Sequence, residues 1–498
     1  MKYLILCCAL MGTLAHAQTI EEVIVVGQPI DKTVVDSTLN TSTLESVLPS
    51  MVFTPGGIGG FSSFRDRGQS STHTRIFRNG VPVNDPSTGW YDWANDMPQQ
   101  YQEIMIAHGP NSVLTGSGSL AGTVFITDKL RKHFIAQASV DSKYLTTGNE
   151  LFSISSKRAS NDSVMNTNEE KDDYENDTLR LQSGIMNYSL TDYSYDYDNC
   201  WESDDCEQKG RKHELSLQTD NITVGFVENE QTFLRDGAES YSSKNQRYYL
   251  DSRKYVNDYV LVGSTVEREN NGDEKLTVGS LYTFATYDMF NAGLRYENDD
   301  VFVYKFGIST PDVSLSYGNS YRRPTLYETN GDGYVSPNRF LNAEEGRGVD
   351  VRYKIFTAFA YDFDEGIDYD YVNNQYVNTG SYSTKGIRVL AHYKKLRYVI
   401  TYTDSDLPRV PKVRAAVMFD DAYKDYTYGF KLVYQNGRLD IDRTPLEDVK
   451  SAQLHIGKDF GIYNVMFQIR DVFDREFEIL PQYTAGGREY LLTLSLNY

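Results

Sequence analysis

The sequence predicts an all-β membrane protein: a 22-stranded antiparallel transmembrane β-barrel filled by an N-terminal α+β plug. Three observations predict it. The chain ends on Tyr490-Leu-Leu-Thr-Leu-Ser-Leu-Asn-Tyr498. Here Tyr490, Leu492, Leu494, Leu496 and Tyr498 share one face, and Leu491, Thr493, Ser495 and Asn497 the other. At about 3.3 Å per residue and a tilt of about 40°, that segment rises roughly 23 Å, close to the lipid band of a barrel. Beyond the first residues no run of 18 apolar side chains occurs, so no helix can span a bilayer and strands are the remaining way across. Composition then separates a barrel from a soluble secreted protein: 39 Tyr and only 14 Pro favour long strands with aromatic ends.

From the N-terminus, residues 1–17 read as a signal peptide. Lys2 is the basic region, Tyr3 to Leu14 the apolar one, and Ala15-His16-Ala17 the small-x-small cleavage site. A lipid anchor on Cys7 or Cys8 would need small residues before it, where Ile5 and Leu6 stand. Residues 18–38 carry Glu21-Glu-Val-Ile-Val-Val-Gly27. Val23, Ile24, Val25 and Val26, closed by Gly27, have the propensity of an extended handle that a partner grips by strand addition.

Residues 39–132 are mixed and Gly-rich. Leu44 to Leu48 predicts a short helix and Pro55 to Gly60 a loop. Thr74 to Arg78 predicts a strand closed by the turn dipeptide Asn79-Gly80 and followed by Val81-Pro-Val83. Glu103 to Ile106 and Gly122 to Thr127 are further strands. From 133 to 498 the pattern is alternation. Tyr426, Tyr428, Phe430, Leu432 and Tyr434 form one face, with aromatics at both ends, as interfacial girdles require. Short connections are expected near Ser160-Asn161, Asp220-Asn221, Pro311-Asp312 and Asp459-Phe460. Long polar ones are expected near 199–210, 233–244, 321–346, 365–382, 437–447 and 473–487. Short turns on one side and long loops on the other are the asymmetry of an outer-membrane barrel. An even count of 22 strands puts both ends on the periplasmic side. Such a wide lumen needs the plug.

A net charge of −20 argues against nucleic acid and against a basic membrane-surface binder. Acidic runs (Glu169, Glu170, Asp172, Asp173, Glu175, Asp177; then Asp196, Asp198, Glu202, Asp204, Asp205) are placed on loops. They offer ligands for a structural Ca²⁺, yet no EF-hand spacing occurs, and a solvated face is the simpler reading. No other cofactor is expected, and the metal question stays open. Cys200 and Cys206, close together in a polar loop, are expected to form a disulfide, since no nearby His completes a metal set. The histidines are scattered, Gly-x-Ser-x-Gly is absent, and Gly116-Ser-Gly118 lacks a phosphate-loop context, so no enzyme is predicted.

Taken in order along the chain, these segments resemble the TonB-dependent outer-membrane receptors. Glu21 to Gly27 looks like the TonB box. Arg65-Asp-Arg-Gly68, Thr74 to Asn84 and Glu103 to Ile126 look like the plug. Tyr321-Arg-Arg-Pro-Thr-Leu-Tyr-Glu328 with Asn338 to Glu345 looks like a long mid-barrel surface loop. Asp471-Val-Phe-Asp-Arg475 and Gly487-Arg-Glu-Tyr490 precede the terminal strand as in that family. There are departures. Asn79 stands where the family has aspartate, Met105-Ile106 replaces a glutamate-valine pairing, and the barrel is short. No signalling domain is seen before the TonB box, so a role in transcriptional signalling is not expected.

The resemblance implies energised uptake of a scarce nutrient chelate, a ferric siderophore or cobalamin for instance, through the outer membrane of a Gram-negative cell. It implies a TonB-type energy transducer, outer-membrane lipid and a small-molecule chelate as partners, and a monomer. The alternative is a passive porin or a surface-binding protein without active transport. Arg65, Arg67, Arg75 and Arg78 are expected to pair with acidic barrel-wall residues. Glycines 116, 118 and 122 suit close plug packing. Ligand is expected on outward apices of the plug, Phe61, Ser62, Ser63 and Phe64 in one and Thr88, Trp90, Tyr91 and Trp93 in the other. Trp201 in the cysteine loop joins them as a rigid exposed aromatic.

Overall fold

Alternation builds the wall. In the computed structural model of the chain, 22 antiparallel strands close into a barrel that starts at His133–Ala138 and ends at Glu489–Leu496. These two strands pair with each other, Leu492 opposite Ala138 and Ser495 opposite Ile135, so the sheet has no open edge. The structure describes residues 30–34, 52–54, 63–93, 101–140, 142–162, 171–197, 206–332, 335–480 and 483–496. The expected signal peptide, the segment Val23 to Gly27 and the helix Leu44 to Leu48 lie outside them.

The burial pattern is inverted relative to a soluble protein. Tyr490, Leu492 and Leu494 point outward and are exposed, while Leu491 between them is buried. Tyr426 and Tyr428 are exposed while Lys431 and Gln435 are buried. Apolar side chains that face outward all round a closed sheet need lipid to cover them. The lumen side carries serines, threonines, asparagines and arginines, among them Ser153, Asn176, Asn245 and Arg247.

The two rims differ. On one, residues 184–185, 258–259, 288–289, 354–355, 394–395 and 424–425 are two-residue turns. Asp288, Lys354, Lys394 and Lys424 take φ between +53° and +55° there, the geometry that lets right-twisted strands reverse tightly. Exposed Tyr287, Tyr353, Tyr393 and Tyr423 precede these turns, an aromatic ring at the level of lipid headgroups. The other rim carries the long connections, including 323–343 and 365–381. It is the outer mouth.

Four expectations need correction. Ser160 and Asn161 are not a turn; they continue strand Phe152–Asp162, opposite Asp173 and Asp172. The turn lies just before that strand, where the Asn149 side chain accepts from the Leu151 and Phe152 amides at 2.8 and 3.1 Å. The loop expected at 233–244 is a two-residue turn, Asp236-Gly237. It caps strands Ile222–Arg235 and Ala238–Asn257, whose outer ends stand above the membrane, where a strand has no apolar face to show. The connection expected at 199–210 ends earlier, because strand Cys206–Gln218 begins at Cys206. Asp172, Asp173, Glu175, Asp177 and Asp196 are strand residues and not loop residues. Arg158 pairs with Glu175 at 3.2 Å and with Asp177 at 2.9 Å. Elsewhere, loops 365–381 and 471–488 each contain a short hairpin, Ile367–Asp370 with Gln375–Asn378 and Glu476–Leu480 with Tyr483–Gly486.

Inside the barrel sits a five-stranded sheet in the order Ile30–Val34, Tyr101–His108, Gly122–Asp128, Thr74–Arg78, Val81–Pro82. Thr74–Arg78 runs parallel to Gly122–Asp128 and is buried on both faces. Its turn uses Asn79 and Gly80 at φ +47° and +79°, as Asn-Gly predicts. An α-helical turn, Ser112–Thr115, a 3-10 turn, Ser71–His73, and the hairpin of Val52–Thr54 with Ser63–Arg65 complete the described part of the plug.

Cys206 is buried and disulfide-bonded at the outer end of its strand. Cys200 lies outside the described residues. Non-reducing peptide mapping is expected to recover a Cys200–Cys206 link, with no thiol labelling before reduction; a labelled Cys200 in oxidised protein would contradict the pairing.

Candidate functional site: the plug–barrel interface and its outer mouth

Three arginines of the plug reach carboxylates on the barrel. The tight turn Arg67-Gly68 (φ +49° and +79°) drives the Arg67 guanidinium against Asp350 and the Tyr361 hydroxyl. Tyr361 itself donates to Asp350 at 2.8 Å, and Asp350 is fully buried. Arg75 donates through Nη2 to both carboxylate oxygens of Glu267, at 2.7 and 2.5 Å, and through Nη1 to the Ser117 carbonyl at 2.6 Å. Arg78 reaches Glu214 at 3.3 Å and Asp128 at 3.6 Å, and Lys212 holds the other Glu214 oxygen at 2.6 Å. Arg65 departs from expectation. It donates to the Pro408 carbonyl at 3.0 Å.

Two plug histidines join this seam. His108 is fully buried, with Nδ1 at 2.5 Å from Asp66 and Nε2 at 3.1 Å from Arg388 on the barrel. His73 Nε2 lies 3.0 Å from Glu344, which Arg322 also holds. Burial alone pushes the Asp66 carboxyl up; contact with His108, then Arg67 and Arg388, outweighs it and holds the group below its ordinary value. The resulting stability is fully present above the ordinary carboxylate value. It is lost as pH falls through the lowered value of the folded state.

Asn79 explains its own departure from the family pattern. Its Nδ2 donates to Asp128 at 3.2 Å while its Oδ1 accepts from the Asp128 amide at 2.9 Å. A carboxylate at 79 would face Asp128 with like charge.

The seam is not only polar. Plug residues Ile76, Phe77, Val81, Trp93, Ile104 and Phe125 share one core with wall residues Val227, Tyr249, Leu261, Tyr282, Phe284 and Val303. Phe77 meets Tyr249 edge-on at 6.1 Å. A methyl placed on Gly225 would stand 2.4 Å from Val81, so this lumen glycine is the slot that receives the plug. Sequence reasoning missed these contacts and the barrel carboxylates. Their signals are single acidic residues and glycines at lumen parity, such as Asp350 between Val349 and Val351.

The plug apex 85–93 faces the outer mouth. Asp85 binds Asn229 in the middle of its strand, while Asp92 binds Tyr195 and Asn271 donates to the Ser87 hydroxyl at 3.4 Å, both near the outer ends of their strands. Asp85 Oδ1 accepts from the Ser87 and Thr88 amides at 2.8 and 2.9 Å, which shapes the loop. Of the expected ligand contacts here, Thr88 is half-buried and Trp90 is 44% exposed. Trp93 is 1% exposed and Tyr91 is 7% exposed; they pack edge-on at 4.9 Å, with Lys212 over the Tyr91 ring. The expectation that both are exposed is therefore corrected: they support the apex because a bulky apolar ring gains most in the plug core. Ser63 and Phe64 lie in strand Ser63–Arg65, paired with Val52–Thr54. Phe61, Ser62 and Trp201 lie outside the described residues. Tyr321, expected as a mouth residue, is buried. The mouth instead gathers three tyrosines, with the Tyr376 ring centroid 6.0 Å from Tyr327 and 5.3 Å from Tyr369.

Among the described residues no group of three or more His, Cys, Asp or Glu side chains converges on a metal position.

Asp350→Asn leaves the Arg67 guanidinium buried without its counter-charge, a loss of about 3–5 kcal/mol in plug seating. Planar-bilayer recordings are expected to show open-pore events in the variant and a closed wild type, with barrel assembly unchanged. Acidification below the ordinary carboxylate range is expected to raise the same conductance in wild type, and less so in Asp66→Asn.

The family model described as TonB dependent receptor-like, beta-barrel matches residues 53–463. Solved structures share the fold at low identity. A point mutant of the ferric enterobactin receptor PfeA of Pseudomonas aeruginosa, in complex with enterobactin, aligns with TM-score 0.69 and 13% identity, over 95% of this chain and 99% of that one. The siderophore receptor PirA of Acinetobacter baumannii aligns with TM-score 0.67 and 12% identity, over 97% and 100%. The FrpB iron transporter of Neisseria meningitidis aligns with TM-score 0.68 and 11% identity, over 94% and 99%. With its closed barrel, plugged lumen and a family match across most of its length, the chain belongs to the TonB-dependent receptors, Gram-negative outer-membrane proteins that take up ligands.

Proposed function

We propose that this receptor imports an iron chelate of the siderophore class, energised by a TonB-type transducer that grips Val23 to Gly27. The observation that carries the reading is the seated plug: a sheet held in the lumen by Arg67–Asp350, Arg75–Glu267 and Arg78–Glu214, contacts that can be broken and remade. A passive porin keeps its lumen open for diffusion. The fold it shares with siderophore and iron receptors supports the choice of ligand class over cobalamin.

Ligand sits on the plug apex at Thr88 and Trp90, beneath the tyrosines of loops 323–343 and 365–381. The exposed Trp90 ring and the half-buried tyrosine rings at the mouth gain by desolvating against a planar aromatic chelate. Tyr91 and Trp93 keep that apex in shape. The transducer adds a strand to the N-terminal segment and pulls, because main-chain pairing gives grip with little demand on side chains.

Radiolabelled ferric-chelate uptake by iron-starved cells tests the reading. Val25→Pro removes a ladder donor, so uptake is expected to fall to the level of de-energised cells while surface binding is retained. Uptake at the wild-type rate would overturn the transducer assignment. Trp90→Ala is expected to weaken chelate binding by about 2 kcal/mol. Trp93→Ala is expected to loosen the plug instead, through a cavity worth about 3–5 kcal/mol.

A further inference from the structure

The periplasmic rim is divided by charge. From 149 to 312 its turns carry Glu150, Asp220, Asp258, Asp288 and Asp312, and neither Lys nor Arg. The next three turns carry Lys354, then Lys394 with Lys395, then Lys424, with Asp425 as their one acid. Strand Phe356–Asp364 pairs with Tyr382–Tyr393, and Leu396–Ser405 with Val413–Tyr423. These turns are therefore neighbours along the rim, two strand spacings or about 10 Å apart. They form a continuous basic arc in a chain of net charge −20.

The three turns repeat one geometry. Tyr353, Tyr393 and Tyr423 each end a strand with an exposed ring, and the lysine that follows places its ammonium 5.4 Å from that ring's centroid in all three. Lys458 extends the arc, 5.0 Å from both the Tyr426 and Phe460 rings. A ring face beneath the ammonium holds the charge at headgroup depth and leaves N–H groups directed away from the ring. Lys395 is engaged by Asp421. Lys354, Lys394 and Lys424 meet no carboxylate at ion-pair distance among the described residues, although Asp425 follows Lys424 and the Lys354 amide donates to the Asp312 carbonyl. Turn geometry does not call for lysine either. Their φ of +53° to +55° is adopted most cheaply by Gly, Asn or Asp, and Gly184 and Asp288 hold φ +54° elsewhere on the rim.

We propose that the arc of Lys354, Lys394 and Lys424 is a docking surface for anionic phospholipid of the periplasmic leaflet. Each ammonium pairs with a headgroup phosphate while the tyrosine beside it covers the top of the acyl chains. An anionic phospholipid matches both parts of the repeated unit, charge to the lysine and an apolar border to the ring. The acidic half of the rim repels the same headgroups. One side of the rim thereby holds the barrel at a fixed depth, far from the chelate site at the outer mouth.

Native mass spectrometry of the detergent-solubilised full chain tests the surface, after equilibration with micelles containing phosphatidylglycerol or phosphatidylcholine of equal chain length. Wild type is expected to retain phosphatidylglycerol in preference, and to keep it against excess inorganic phosphate. Lys394→Gln alone is expected to weaken retention about five-fold. The triple variant Lys354→Gln, Lys394→Gln, Lys424→Gln is expected to lose the preference. A second triple variant, Lys209→Gln, Lys244→Gln, Lys385→Gln, makes the same change in net charge towards the outer ends of its strands and is expected to keep it. Asp288→Lys places a lysine after exposed Tyr287 at the same φ on the acidic half, and is expected to add retained phosphatidylglycerol. No preference in wild type, an equal loss in the two triple variants, or displacement by inorganic phosphate would overturn the proposal. Asp288→Lys protein without the gain would overturn it even where the first triple variant failed to assemble.

Discussion

The structure depends on charge buried at a boundary. A 22-stranded barrel has a lumen too wide for its own side chains to fill, so a second body must fill it, and what joins them decides how the molecule behaves. Arg67 and Asp350 are both nearly sealed from water. A pair of this kind adds little net stability over an apolar contact of equal size, but losing one partner is costly. The seam is thus selective. It holds the plug in one position and penalises every other.

The apolar contacts complement this. Phe77 and Val81 dock against Tyr249 and the slot at Gly225, which supplies adhesion without direction. The ionic contacts supply direction. Arg75 and Arg78 lie on one short strand, three residues apart, and reach two different walls at Glu267 and Glu214. Rotating or sliding the plug would strand both. A body held this way can release its contacts in sequence, since each pair is separately small beside the whole interface.

Much of the fold was legible because membrane crossing leaves few solutions. Alternation at Tyr426 to Tyr434, aromatic ends and the Asn79-Gly80 turn each carry a local physical meaning that tertiary context does not change. The failures have a common cause. Above the lipid band, strands lose their apolar face, so Ser160-Asn161 and 233–244 read as turn or loop although they continue strands. The arginines of the plug were legible, but their partners were not. Asp350 and Glu267 look like ordinary surface acids until lumen parity is counted across a closed sheet. Trp93 misled for a similar reason: exposure of a loop says nothing about the side of the loop a ring occupies, and here it turned into the core.

The central claim is that plug and barrel are separate cooperative bodies joined by a breakable charged seam. Hydrogen exchange followed by mass spectrometry across a urea series tests it most directly. The account predicts that amides of Thr74–Arg78 and Gly122–Asp128 lose protection at urea concentrations where the barrel strands around them remain protected, and that Asp350→Asn shifts only the plug transition. Plug and barrel amides opening together, with a common midpoint in both proteins, would contradict it.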